Sequence, residues 1–134
     1  MSFRIKLLLS VTGFMFYAFQ FAQAQQIFMQ GWYWNYPKTV DGYSWADTLR
    51  LKAASLKNAG ITHIWFPPHA VASSGPSSNG YDPQDLFIGN TTTGLGTRPA
   101  LNNMLAAFTD QGIVPVADVI FNHRDGGRER TTRR

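Results

Sequence analysis

The sequence predicts an α/β fold built on a parallel sheet. Three observations lead there. Strand-like apolar stretches alternate with helix-periodic ones, a glycine (Gly60, Gly112) closes each helical stretch, and the last strand-like run, Ile113 to Phe121, is apolar at nearly every position. The order strand, helix, strand, long loop, helix, strand implies right-handed crossovers and therefore parallel strands. A run that is apolar at nearly every position fits a parallel strand buried on both faces.

Each element has a local reason. Ile27 to Trp34 is apolar and aromatic and reads as a short first strand broken near Gly31. Ser44 followed by Asp47 is a capping-box signal, and Trp45, Leu49, Ala53 and Leu56 then fall at helical spacing until Gly60 stops the helix. Ile61 to Phe66 is rich in β-branched and aromatic residues, and Pro67 and Pro68 end it because neither can donate to a ladder. The stretch from Pro67 to Gly96 is rich in Ser, Gly, Asn, Thr and Pro, and a loop of that length inside a compact domain is typically functional or disordered. Thr97 caps a second helix, with Pro99 in its first turn and Leu101, Met104, Leu105 and Phe108 on one face; Gly112 ends it. Pro115 removes one ladder donor, so it belongs near the start of the third strand or at a bulge.

Composition excludes several function classes. A chain of 134 residues is one domain or a piece of one. Apolar residues make up 44 % and charged residues only 15 %, which is folding sequence. The absence of cysteine removes disulfide scaffolds, Cys-ligated metals and thiol nucleophiles. The net charge of +4 comes from the two ends: between Gln25 and Gly127 six basic residues stand against seven acidic ones, all of them Asp. No basic cluster suits nucleic acid. Arg4 and Lys6 precede the apolar run Leu7 to Phe21 and then Ala22-Gln23-Ala24, the pattern of a signal peptide cleaved after Ala24. The run is shorter than the roughly 20 residues of a membrane-spanning helix. Residues 1–24 are thus expected to be removed on secretion, with no membrane attachment afterwards, leaving a body over 25–127 and a basic tail over 128–134.

Two architectures accommodate the element order, a doubly wound open sheet and a β/α barrel. No Gly-x-Gly-x-x-Gly follows the first strand and no Gly-Lys-Ser/Thr loop occurs, which weakens the nucleotide-binding alternative. In both architectures binding groups gather at the carboxyl ends of the strands. Those positions hold Trp32 to Asn35, His69 to Tyr81 and Asp118 to His123. Aromatic rings beside Asp, Asn and His suit a sugar, whose apolar faces stack and whose hydroxyls need planar polar partners. Asp118 in an apolar strand is hard to explain as packing, because burying an unpaired carboxylate is costly. His63, in mid-strand, reads as a hydrogen-bonded sheet-face residue, and Tyr81 in a Gly-rich loop is more often a packing residue than a ligand contact.

The segment Ala117-Asp118-Val119-Ile120-Phe121-Asn122-His123 resembles the first signature region of the α-amylase family of glycoside hydrolases, Asp-Val-hydrophobic-x-Asn-His. Met29-Gln30-Gly31-Trp32, Gly60 to Pro68, Gly80 to Leu86 and the Gly96-Thr97 helix entry resemble the same family in the same order, and plant-type secreted members fit the pattern best. The resemblance spans about Gln26 to Gly127. It implies the first three β/α units of a TIM (β/α)8 barrel, incomplete here because eight units occupy about 250 residues. It implies that Tyr81 stacks on a sugar ring, that Asp118 supports that subsite, that His123 hydrogen-bonds the sugar, and that Asn122 ligates a structural calcium ion whose site is incomplete here. The implied activity is retaining hydrolysis of α-1,4-glucan links in starch or maltooligosaccharides, by two carboxyls about 5 to 5.5 Å apart.

No catalytic residue of that family matches a position of this chain, whose only glutamate is Glu129 in the tail. The chain alone is therefore expected to be inactive, and the abrupt basic ending suggests a frameshift or premature stop. Two alternatives accompany this expectation. One is a starch-binding protein with aromatic platforms at Trp32, Trp34 and Tyr81; the other is a fragment that complements a separately encoded remainder.

Overall fold

The computed structural model describes residues 25–86 and 91–125. The expected leader over 1–24 and the expected basic tail over 128–134 lie outside the described residues. In chain order the elements are β1 (Phe28–Gln30), β2 (Thr39–Val40), β3 (Tyr43–Ser44), α1 (Trp45–Asn58), β4 (His63–Phe66), β5 (Val71–Ala72), β6 (Pro83–Asp85), α2 (Arg98–Asp110) and β7 (Val114–Ala117). Among the described residues no helix is long and apolar enough to cross a membrane.

The predicted parallel sheet is present, in the order β1-β4-β7, with both pairings parallel. The register places Met29 beside Ile64 and Ile64 beside Pro115, so the proline is the second residue of its strand. The two crossover helices pack on each other and on one face of the sheet. There Ile64, Phe66, Leu95, Met104, Phe108 and Ile113 are buried as the centre of one apolar cluster, with the Phe66 and Phe108 rings 5.7 Å apart.

Both helices begin where their caps predict. Ser44 Oγ accepts from the Asp47 N–H at 3.2 Å and donates to the Asp47 carboxylate at 2.7 Å. Thr97 Oγ1 accepts from the Ala100 N–H at 3.4 Å. Each such cap satisfies a backbone donor that has no partner within its helix. Gly60 and Gly112 adopt φ of +87° and +65° just past the helix ends, a conformation that L side chains avoid.

Strand three departs from its expectation of burial on both faces. The strand is four residues long, Val114 is 49 % exposed, and Phe121, beyond its end, is 92 % exposed. The reason is topological. The helices cover only one face, and the rows Phe28-His63-Val114 and Gln30-Trp65-Val116 lie on the other. No closed barrel forms among the described residues, and no further strand pairs with the outer edges of β1 and β7. His63 occupies the sheet-face position expected of it, stacked on Phe28 at 4.2 Å with Thr62 Oγ1 2.9 Å from its Nδ1.

Two small hairpins were absent from the predicted element order. The pair β2-β3 turns at Asp41-Gly42, both at positive φ, which is the strand-twist-compatible turn that an Asp-Gly pair favours. The pair β5-β6 folds the middle of the long loop back on itself. That second hairpin delivers Tyr81 to the sheet's carboxyl end.

Candidate sugar-binding site

Asp118 follows β7 directly, its backbone N–H reaching the Phe66 carbonyl at 3.3 Å to extend the ladder by one step. Its carboxylate therefore emerges at the carboxyl end of the sheet. Tyr81 comes to meet it from the β5-β6 hairpin, and its hydroxyl donates to Asp118 Oδ2 at 2.7 Å. Burial raises the Tyr81 phenol above its ordinary value, and the hydrogen bond to Asp118 and the carboxylate's charge raise it further. The phenol stays protonated and donating at any physiological pH. The costly unpaired carboxylate suggested by the sequence is thus a paired one.

His123 closes the arrangement, its Nε2 lying 2.9 Å from the Tyr81 carbonyl oxygen. A carbonyl only accepts, so Nε2 carries the proton. Nδ1 lies 3.1 Å from Asn122 Oδ1. In a neutral ring that nitrogen has only a lone pair. The contact is a hydrogen bond when His123 is cationic, or when the Asn122 amide is turned to present its NH2. All four residues singled out from the sequence, Tyr81, Asp118, Asn122 and His123, thus form one connected cluster.

The loop that carries Tyr81 is held from below. Gly80 has φ of +87°, and a Cβ there would lie 1.9 Å from the Pro68 carbonyl oxygen, so only glycine fits. Asp82 accepts from the hydroxyls of Ser73 and Ser78 and from both the N–H and the hydroxyl of Ser74. Burial alone would raise its carboxyl, yet the Ser74, Ser78 and Ser73 bonds outweigh it and hold the group well below the usual carboxylate range. Ser73 Oγ also lies 2.6 Å from Asp125 Oδ2, and Arg124 donates twice to the Gln84 carbonyl. The segment after β7 is thereby stitched to the hairpin. Sequence reasoning missed these supports; the serines around Asp82 were the available signal.

Aromatic rings frame the cluster. Trp34 lies nearly parallel to Tyr81, at 17° with centroids 6.2 Å apart, and is 68 % exposed. Trp32, expected as an open platform, is instead 7 % exposed, wedged among Tyr36, Trp65 and Tyr81. It is a packing residue that follows Gly31, where β1 has ended, the Gly31 N–H donates to the Trp65 carbonyl at 2.8 Å, and an added Cβ would lie 2.9 Å from the Ile64 side chain.

A cavity of about 140 Å³ beside Asp118 is lined also by Pro68, His69 and Pro83. Burial lowers the His69 imidazole below its ordinary value, so it is neutral at pH 7. A wider open groove of about 600 Å³ runs over the uncovered sheet face past Phe28, Trp65 and Val116.

Calcium is a family expectation, and Asn122 is the one residue of this chain expected to ligate it. Among the described residues no group of three or more His, Asp or Glu side chains is placed to hold a metal. Asn122 offers one amide oxygen, against the six to eight that calcium takes.

Comparison with known proteins gives a consistent picture. No protein-family model matches the chain. A glucan 1,4-alpha-maltohexaosidase of Bacillus sp. (strain 707) is 36 % identical over 107 residues, which are 73 % of this chain and 20 % of that protein. The cytoplasmic alpha-amylase of Escherichia coli (strain K12) is 31 % identical over 109 residues, 76 % of this chain and 21 % of that protein. The chain thus spans about a fifth of the length of these relatives. Among solved structures, the isomaltulose synthase SmuA from Protaminobacter rubrum superposes with a TM-score of 0.59 at 25 % identity, covering 74 % of this chain and 17 % of that one.

Proposed function

We infer the function from one premise: the chain belongs to the α-amylase family of glycoside hydrolases, matching about three quarters of its own length to one segment of those enzymes. The three parallel strands and two crossover helices then belong to the first three β/α units of a TIM barrel, the third unit being represented by its strand. The proposed activity of the complete enzyme is retaining hydrolysis of α-1,4-glucan links. The role of this segment is to bind one sugar of a starch-type chain beside the bond to be cleaved.

The observation that carries the reading is the connected cluster. The Tyr81 hydroxyl is fixed by Asp118 and the Tyr81 carbonyl by His123, so the ring is held at both ends for stacking on a sugar face. Asp118 acts by positioning that ring. His123 meets a sugar hydroxyl through Nδ1, or through Nε2 on release of the Tyr81 carbonyl. Asn122 contributes at most one ligand to a calcium ion.

The described residues bind but do not cleave. Retaining hydrolysis needs a nucleophilic carboxylate and a carboxyl acid about 5 to 5.5 Å apart, the acid with a raised pKa. Asp118 is committed to Tyr81 and Asp82 to its serines, while Glu129 lies outside the described residues. The 134-residue chain is accordingly proposed to bind maltooligosaccharides without hydrolysing them, and to be exported by its first 24 residues. Incubation with soluble starch and a reducing-sugar assay tests the first part: no release is expected, and sustained release by the pure chain overturns it. Amino-terminal sequencing of the exported protein tests the second, with Gln25 expected first.

A further inference from the structure

His123 is exposed and belongs to no helix or strand, yet its ring meets the Tyr81 carbonyl at 2.9 Å. A single exposed hydrogen bond holds a ring poorly, because water competes for both partners. The backbone beneath it is held by the next two residues. The Arg124 guanidinium donates to the Gln84 carbonyl through Nε at 3.1 Å and through Nη2 at 2.7 Å. The Asp125 N–H donates to the Pro83 carbonyl at 2.8 Å. Residues 123, 124 and 125 thus engage the carbonyls of 81, 84 and 83, three oxygens on one stretch of the hairpin.

The holds differ in what they fix. The Asp125 bond pins the chain at one point and leaves it free to swivel there. Ser73 adds little direction, since its one proton faces two carboxylates, Asp125 at 2.6 Å and Asp82 at 3.0 Å. A guanidinium is a rigid planar fork, so two of its donors on one oxygen fix orientation as well as distance. A lysine ammonium is a point donor on a flexible stem and supplies no such plane. The fork of Arg124 is therefore the hold that sets the direction of the residue before it.

We propose that Arg124 is the positioning residue for His123: its two-donor grip on the Gln84 carbonyl sets the His123 ring against the hairpin and so presents Nδ1 to a ligand hydroxyl. The placement of the ring stands on the hydrogen bonds alone, and only its consequence for saccharides rests on the sugar-binding reading of the cluster. His123 would touch the ligand; Arg124 would not.

Long-range 1H-15N correlation spectra of the 134-residue chain at one fixed pH test the placement, and calorimetric titration with maltose tests the consequence. Arg124→Ala should move both His123 ring nitrogens toward the resonances of a freely rotating imidazole. It should weaken maltose binding about fivefold, the scale of one lost hydrogen bond, with the urea midpoint unchanged. Arg124→Lys, which keeps the charge and loses the fork, should fall between wild type and Arg124→Ala. Asp125→Ala, which keeps the backbone N–H donated to Pro83, should move the His123 nitrogens less than Arg124→Ala does. Unmoved His123 nitrogens in Arg124→Ala overturn the proposal and spare the sugar-binding reading. Full recovery in Arg124→Lys, or a loss of amide protection across the whole sheet in Arg124→Ala, also overturns it. If the wild type binds no maltose, the sugar-binding reading falls, and the Arg124→Ala spectra alone decide the placement.

Discussion

The Tyr81-Asp118 pair is the joint on which the sugar-binding reading turns, and its strength is measurable. The perturbation is a double-mutant cycle of Tyr81→Phe, Asp118→Asn and the two combined. A hydrogen bond to a charged partner contributes about 1.5 to 3 kcal/mol when shielded from water. Both partners are half-buried and the bond is 2.7 Å long, so solvent screening reduces the expected coupling to about 1 kcal/mol. Urea unfolding followed by tryptophan fluorescence supplies the four free energies. A second readout comes from ionisation of the phenol. Its value is raised in the folded chain by burial and by Asp118, so the folded state keeps the proton longer than the unfolded one. The stability from this group is complete below the unfolded phenol's value and is lost as pH rises through the folded one. Asp118→Asn should lower the pH at which Tyr81 ionises in an ultraviolet titration. A coupling below about 0.3 kcal/mol, within the scatter of independent sites, together with an unmoved phenol titration, would show that the two side chains are not coupled.

Three further outcomes follow from the same structure. Gly80→Ala places a methyl where the Pro68 carbonyl stands, at a positive φ; it should destabilise the β5-β6 hairpin by about 2 kcal/mol or more and weaken saccharide binding, read by hydrogen exchange and titration. Met104→Ala, in the fully buried centre of the helix-sheet cluster, should cost about 2 to 5 kcal/mol in urea unfolding, and a loss under about 1 would show the core misassigned. Asp82, whose carboxyl is held low by serine hydrogen bonds, contributes stability present above the ordinary carboxylate value and lost as pH falls below it; Asp82→Asn should flatten the acid limb of a pH-stability profile, and an unchanged limb would contradict the assignment.

The parts of this structure that depend on local sequence were legible from it. Ser44 and Thr97 cap their helices, Gly60 and Gly112 end them, and the apolar stripes Trp45-Leu49-Ala53-Leu56 and Leu101-Met104-Leu105-Phe108 face the core. The three parallel strands follow from the alternation of periods. What was not legible depends on residues far apart in the chain. Nothing near Tyr81 announces a partner 37 positions on, and the serines that hold Asp82 look like loop composition until the hairpin folds. Trp32 and Trp34 are indistinguishable as sequence, yet the fold buries one and exposes the other. The apolar run around Val116 promised burial on two faces, whereas burial depends on what covers the sheet, and among the described residues only one face is covered.

Affinity electrophoresis through a gel containing amylose tests the central claim most directly. The 134-residue chain should be retarded in a concentration-dependent way and Tyr81→Ala should restore free mobility; equal mobility of the wild-type chain with and without amylose would contradict sugar binding at Tyr81.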